Sequence, residues 1–135
     1  MPIQYEIDHE RRLVRARVSG VLTDDDIFGY QRAAWSRPDV ADYDEMVDMS
    51  AVVRIALPSV QRMKDLARLS SEMDARGRTS RFAIVAPGDI AFIMGRLYKA
   101  LRGLAGGNKR VGVFRTEAEA DLFLSRSPDP DPGPD

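Results

Sequence analysis

The chain has 135 residues, 44% apolar and 30% charged, with a formal net charge of −1. That length supports a core without metal or disulfide support, and the mixed, nearly balanced charge leaves no electrostatic footprint for DNA or RNA. The absence of cysteine excludes thiol nucleophiles, disulfides and thiolate metal sites, and suits a reducing compartment.

No apolar run nears the ~18 residues of a membrane span. The opening Met1-Pro2-Ile3-Gln4-Tyr5-Glu6 is not built like a signal peptide, so a cytoplasmic protein is expected. Ile3, Tyr5 and Ile7 alternate with polar residues, the period of a half-buried strand. Val14, Ala16 and Val18 repeat the pattern with Arg15 and Arg17 between them, up to Gly20. The two runs predict an antiparallel hairpin with one wet face. Thr23-Asp24-Asp25-Asp26 is a helix start, with a capping threonine and three carboxylates at the positive end of the helix dipole. Ile27, Tyr30 and Ala34 share a face flanked by Phe28 and Trp35, and Pro38 ends the helix. An acidic loop, Asp39–Asp44, leads to a third strand over Met46–Met49.

After Ser50 a short connection leads to Pro58, suited to a first helical turn. The next helix carries Val60, Met63, Leu66, Ala67, Ser70 and Met73 on its apolar face and is closed by Gly77. Phe82–Ala86 predicts a fourth strand. Pro87-Gly88-Asp89 turns into a third helix with Ile90, Ile93, Met94, Leu97, Leu101 and Leu104 toward the core. Val111–Phe114 predicts a fifth strand, and Thr116-Glu117-Ala118-Glu119 has the capping-box form of a last helix with Ala120, Phe123 and Leu124 inward. The expected organisation is one domain over residues 1–125, followed by a disordered or extended Pro/Asp-rich tail over 126–135.

Strands alternating with helices imply an α/β fold whose later strands pair in parallel through right-handed crossovers. Burying Arg15 and Arg17 without partners is unfavourable. Helices are therefore expected mainly on one face of the sheet over the hairpin.

Several segments in this order resemble the small bacterial STAS/SEC14-like proteins of the SpoIIAA-like class. They are Val18-Ser19-Gly20 with Thr23 and Asp26, then Val47-Asp48-Met49-Ser50-Ala51-Val52, then Ala83–Asp89, Met94-Gly95-Arg96-Leu97-Tyr98 and Val113–Ala120. The resemblance implies a β/α superhelix with a five-stranded mixed sheet (an N-terminal hairpin, then parallel strands) and about four helices. For most such members it implies no assigned activity. Anti-sigma-factor antagonists sharing the fold carry an Asp-Ser-Ser/Ala-Gly phosphoacceptor motif. The corresponding segment here is Ile55-Ala56-Leu57-Pro58-Ser59, which departs from it and leaves Ser59 as a weak phosphorylation candidate at a helix start.

Ligands of such sheets gather at the carboxyl ends of parallel strands. That places Asp48, Ser50, Gly88, Asp89, Arg115 and Thr116 as candidate ligand-binding residues, with Arg115 and helix amides suited to an anionic group. Each also has a local reason to be there, in turns, helix caps or a neighbouring ion pair. His9, the lone histidine, has no serine at a suggestive spacing, so a catalytic triad is not expected. The acidic stretch Asp39, Asp42, Asp44, Glu45 and Asp48 lacks EF-hand spacing and reads as a solvated loop. Gly103-Leu104-Ala105-Gly106-Gly107-Asn108-Lys109 lacks the Gly-Lys-Ser/Thr ending of a phosphate loop and reads as a helix end with a flexible connection. Phe92, set opposite the expected core face with Arg96 and Lys99, is a candidate interface.

The favoured reading is a non-enzymatic binding or interaction module, with no cofactor or metal. Its partner would be a protein, a lipid-like molecule or a small anion. The alternatives are an enzyme using Asp48 or Asp89 as a base on an anion held by Arg115, or a phosphoregulated protein like the anti-sigma-factor antagonists. The edge strand Ile3–Ile7 leaves self-association open.

Overall fold

The computed structural model describes residues 2–56, 59–74 and 79–125. The expected roles of Pro58 and Gly77, and the tail over 126–135, lie outside the described residues. Five strands form one sheet in the order β1 (Ile3–Asp8), β2 (Leu13–Thr23), β3 (Asp44–Ala56), β4 (Ser80–Val85) and β5 (Lys109–Phe114). β1 is antiparallel to β2 with Ile3 opposite Val18, and every later pair is parallel. The hairpin followed by parallel strands is the mixed sheet expected from the sequence.

Four helices connect the strands or follow them: α1 (Asp24–Trp35), α2 (Val60–Met73), α3 (Asp89–Ala105) and α4 (Glu117–Ser125). The start of α1 forms because the Thr23 side chain accepts from the Asp26 amide at 3.2 Å while Asp26 accepts from the Thr23 amide at 3.0 Å.

Period-2 alternation assigns the sheet's two faces. Val14, Ala16, Val47, Phe82 and Ile84 point to the face covered by α1, α2 and α3. Leu13, Met46, Ala83 and Val85 point the other way, where α4 packs through Ala120, Phe123 and Leu124. α4 packs mainly over β3 to β5. The hairpin's second face stays open, with Gln4, Glu6, Arg15 and Arg17 beside a polar recess. Arg15 pairs with Glu117 at 3.0 Å and Arg17 with Asp48 at 3.8 Å, so the two arginines that forbid a second helical layer there are solvated and paired.

Three expectations are corrected. β2 does not stop at Gly20 and β3 does not stop at Met49: the two run on together to Thr23 and Ala56, with register shifts between Arg17 and Ser19 and between Gly20 and Val21. The glycine marks an irregularity inside a strand rather than its end. Second, α3 buries Ala91, Gly95, Tyr98, Leu101 and Arg102; Met94, Leu97 and Leu101 face the core as expected, but Ile90, Ile93 and Leu104 are exposed. Close packing explains the rotation. A Cβ at Gly95 would come within 3.0 Å of Val113, so the helix lays its small residues against the sheet. Third, Glu45 and Lys109 belong neither to a solvated loop nor to a flexible connection; they stand in β3 and β5 with their side chains buried.

Candidate functional site

Register puts Asp48 of β3, Val85 of β4 and Phe114 of β5 at one level, so β4 and β5 end beside the middle of the longer β3. The residues singled out at this rim separate into three groups. Asp89, in the first turn of α3, accepts from Arg115 at 2.7 Å, and Arg115 also donates to the Pro87 carbonyl at 3.0 Å. Gly88 is the N-cap residue of α3. Asp48 turns to the open face, where it meets Arg17 and accepts from the Ser50 amide at 2.9 Å. Thr116 caps α4, accepting from the Glu119 amide at 3.2 Å. Ser59 caps α2 in the same way toward the Arg62 amide.

Phe92 is half-buried against the core rather than set opposite it, and the Arg115 guanidinium lies 4.0 Å from its ring centre. Arg96 and Lys99 on the same helix are exposed. His9, at the hairpin turn, hydrogen-bonds through Nδ1 to the Tyr43 hydroxyl at 2.8 Å.

Between the sheet and α1–α3 lies an apolar cavity of about 100 Å³. Its end nearest the carboxyl tips of β2 and β3 is lined by Leu22, Ile27, Ile55 and Met63. Met49 and Met94 add flexible, polarizable wall.

The opposite end of the cavity is polar, and most of its groups are paired with one another. Tyr30 donates to Glu45 Oε2 at 2.6 Å, and Trp35 Nε1 donates to the same oxygen at 3.2 Å. Lys109 Nζ donates to Glu45 Oε1 at 3.1 Å and sits 3.2 Å from the Trp35 ring centre. Beside this, Tyr98 donates to Ser70 Oγ, and Ser70 donates to Gln31 Oε1, each at 3.0 Å. Arg102 Nη2 donates to both oxygens of Asp74 at 2.9 Å.

Burial pushes the Lys109 ammonium below its ordinary value, against the pull of Glu45. Burial also raises the Tyr30 phenol well above 10.0, reinforced by the charge of Glu45, and takes Tyr98 to about 12. The Asp74 carboxyl is raised by burial, opposed by Arg102 and Lys109.

A second, larger recess of about 660 Å³ opens at the amino ends of β4 and β5, lined by Arg81, Lys99, Arg102, Lys109 and Arg110. Apart from Lys99, a candidate interface residue, sequence reasoning missed this end of the molecule and the buried network alike. The available signal was local: Glu45 occupies an inward position of the strand period, two residues before Val47.

Comparison with known proteins supports the fold. No family model matches the sequence, and no curated protein matches it. A solved structure from Shewanella loihica PV-4, described as an uncharacterized protein from the DUF3478 family with a SpoIIAA-like fold, is similar to this chain with a TM-score of 0.54. The two are 15% identical over 90% of this chain and 93% of that one. The chain has a SpoIIAA-like fold.

Proposed function

We propose that this SpoIIAA-like domain is a non-enzymatic binding module that takes a small apolar ligand into the cavity between the sheet and α1–α3. The observation that carries the reading is the cavity itself: apolar walls from Leu22, Ile27, Ile55 and three methionines, closed at one end by a polar network. Size limits the ligand. A cavity of about 100 Å³ falls below the roughly 300–1,000 Å³ of drug-sized sites. It approaches the roughly 150 Å³ that holds benzene in an engineered apolar core. A benzene-sized group or the end of an acyl chain fits this scale; a whole lipid requires Met49, Met63 and Met94 to swing aside.

The rim residues serve this reading as structure. Arg115 and Asp89 fasten the start of α3 to the end of β5, and Thr116 and Ser59 cap helices. The test is native mass spectrometry of the purified full chain with titration of a fluorescent fatty-acid probe. The expected result is a co-purifying apolar species or saturable probe binding. Ile55→Trp, which fills the cavity end, is expected to weaken probe binding about tenfold, roughly 1.4 kcal/mol. No bound species together with no saturable probe binding would overturn the reading.

A further inference from the structure

We propose that the outer edge of β5 is a docking site for an extended acidic segment of a partner protein, which joins the sheet there as an added strand. No residue of β5 lines the apolar cavity, so the proposal does not rest on that reading.

β5 ends the strand order, and its described backbone pairing runs to β4. Among the described residues no backbone bond reaches residues 111–114 from the far side. A row of strand amides and carbonyls is a template for one kind of partner, another strand. The two edges of the sheet differ in how they discourage it. β1 carries Gln4, Glu6 and Asp8 along its length. Val111-Gly112-Val113-Phe114 has no charge, no proline and no register shift. Lys109, the first residue of β5, turns its ammonium inward to Glu45 and does not guard the edge. Val111 and Val113 stay half-buried although they pack on the core beneath α3, and Phe114 stays so against Phe123. An added strand completes that cover.

Charge selects the strand. One row of α3, Phe92, Arg96 and Lys99, follows this edge. Phe92 stands at the carboxyl end of β5, where the Arg115 guanidinium lies 4.0 Å from its ring centre. Lys99 stands toward the amino end, sharing a wall with Arg110 and Val111. Arg96 lies between them, its guanidinium 6.0 Å from the Phe92 ring centre. Arg96 and Lys99 are exposed, and the ion pairs among the described residues include neither. Arg115, by contrast, is already held by Asp89.

An incoming strand turns every second side chain to the α3 side. Acids at those positions meet Arg96 and Lys99, and apolar residues between them meet Phe114 and Phe123 on the other side. Backbone pairing supplies the affinity, and the two cations choose the sequence. A second copy of this chain is a poor occupant. Antiparallel edge-to-edge pairing keeps both α3 helices on one side of the joined sheet and sets the same cations against each other.

The probe is a capped peptide of alternating valine and glutamate, titrated into the full chain and followed by amide NMR. Saturable shifts at residues 111–114 and at Arg96 and Lys99 are expected. A valine–lysine peptide of equal length should bind about tenfold more weakly or worse. Two further peptides test the backbone, one N-methylated at every glutamate and the other at every valine. A strand turns these two sets of N–H groups to opposite edges, so one peptide should keep its affinity and the other lose it. Arg96→Glu combined with Lys99→Glu, both at exposed positions, is expected to weaken binding about tenfold.

No saturable binding, equal affinity for the two peptide charges, or equal loss in both methylated peptides overturns the proposal. Unchanged affinity in the double variant does the same. Self-association through these amides without peptide binding gives the edge to a second copy and overturns it too. Peptide binding that appears only after Asp129, Asp131 and Asp135 are changed to Asn gives the edge to the chain's own residues 126–135, and likewise overturns it.

Discussion

Lys109 and Glu45 meet as a buried ion pair, Nζ to Oε1 at 3.1 Å, that forms part of the wall between the apolar cavity and the basic recess. Each side chain is 4% exposed, and the lysine lies over the face of Trp35. Removing one member of such a pair strands a charge in low dielectric, at about 3–5 kcal/mol, whereas replacing both can be nearly neutral. Lys109→Met alone is therefore expected to destabilise strongly in chemical denaturation. Adding Glu45→Gln should recover much of the loss, because Tyr30 and Trp35 can still donate to the amide oxygen. Equal destabilisation by the single and double variants would contradict the assignment.

Alkaline pH reads the same interior from another side. The Tyr98 phenol is raised from 10.0 to about 12, chiefly by burial. Its unfolded form ionises first, so the unfolded state binds fewer protons between these values and stability falls as pH rises through that window. In thermal melts, Tyr98→Phe is expected to flatten this decline. A decline of unchanged slope in the variant would place its origin elsewhere.

Acid pH tests a part-buried contact. The Arg62 hydrogen bond holds the Asp24 carboxyl below its ordinary 3.8. A lowered acid contributes stability at pH values above its unfolded pKa and loses it as pH falls through the folded one. Asp24→Asn should therefore lose this contribution at neutral pH and show a shallower acid limb. A wild-type acid limb in Asp24→Asn would count against this contribution.

The rotation of α3 is tested by a contrast. Ile93 is exposed and Leu101 buried, although one apolar stripe contains both. Ile93→Gln is expected to change stability by no more than about 0.5 kcal/mol, the usual range for a surface position. Leu101→Ala should cost about 2–5 kcal/mol as a core truncation. Denaturant midpoints at constant slope give both numbers.

At Gly107 the backbone has φ +107°, and a methyl group would run into the Asp74 carboxylate. Asp74 there accepts from the Asn108 amide while held by Arg102. Gly107→Ala combines left-handed strain with this clash, and a loss of more than about 1 kcal/mol is expected in denaturant unfolding.

What the sequence makes legible is local. Thr23 and Asp26 announce the start of α1 because a capping box lies within one helical turn. The alternation around Arg15 and Arg17 foretells the face left without helices because strand periodicity needs only neighbours. The rim level of β4 and β5 follows from where their apolar runs stop. The face of α3 is legible at Met94, Leu97 and Leu101 and misread at Ile90, Ile93 and Leu104, because large apolar residues dominate a periodicity count, whereas close contact with β4 and β5 favours Ala91 and Gly95. The Glu45–Lys109 pair joins positions 64 residues apart, and nothing near either residue announces the other. The basic recess is illegible for the same reason: its cations come from β4, α3 and β5, and only the tertiary fold brings them to one wall.

The cavity's capacity for a small apolar guest is tested most directly by carbon-13 methyl NMR of the chain's six methionines during a benzene titration. Met49, Met63 and Met94 line the cavity, whereas Met46 lies on the other face of the sheet and Met73 packs against the cluster that holds Trp35 and Tyr30. Saturable shifts at Met49, Met63 and Met94, with Met46 unmoved, are the expected result. Absence of saturable shifts, or equal shifts at Met46, would contradict an apolar binding site between the sheet and α1–α3.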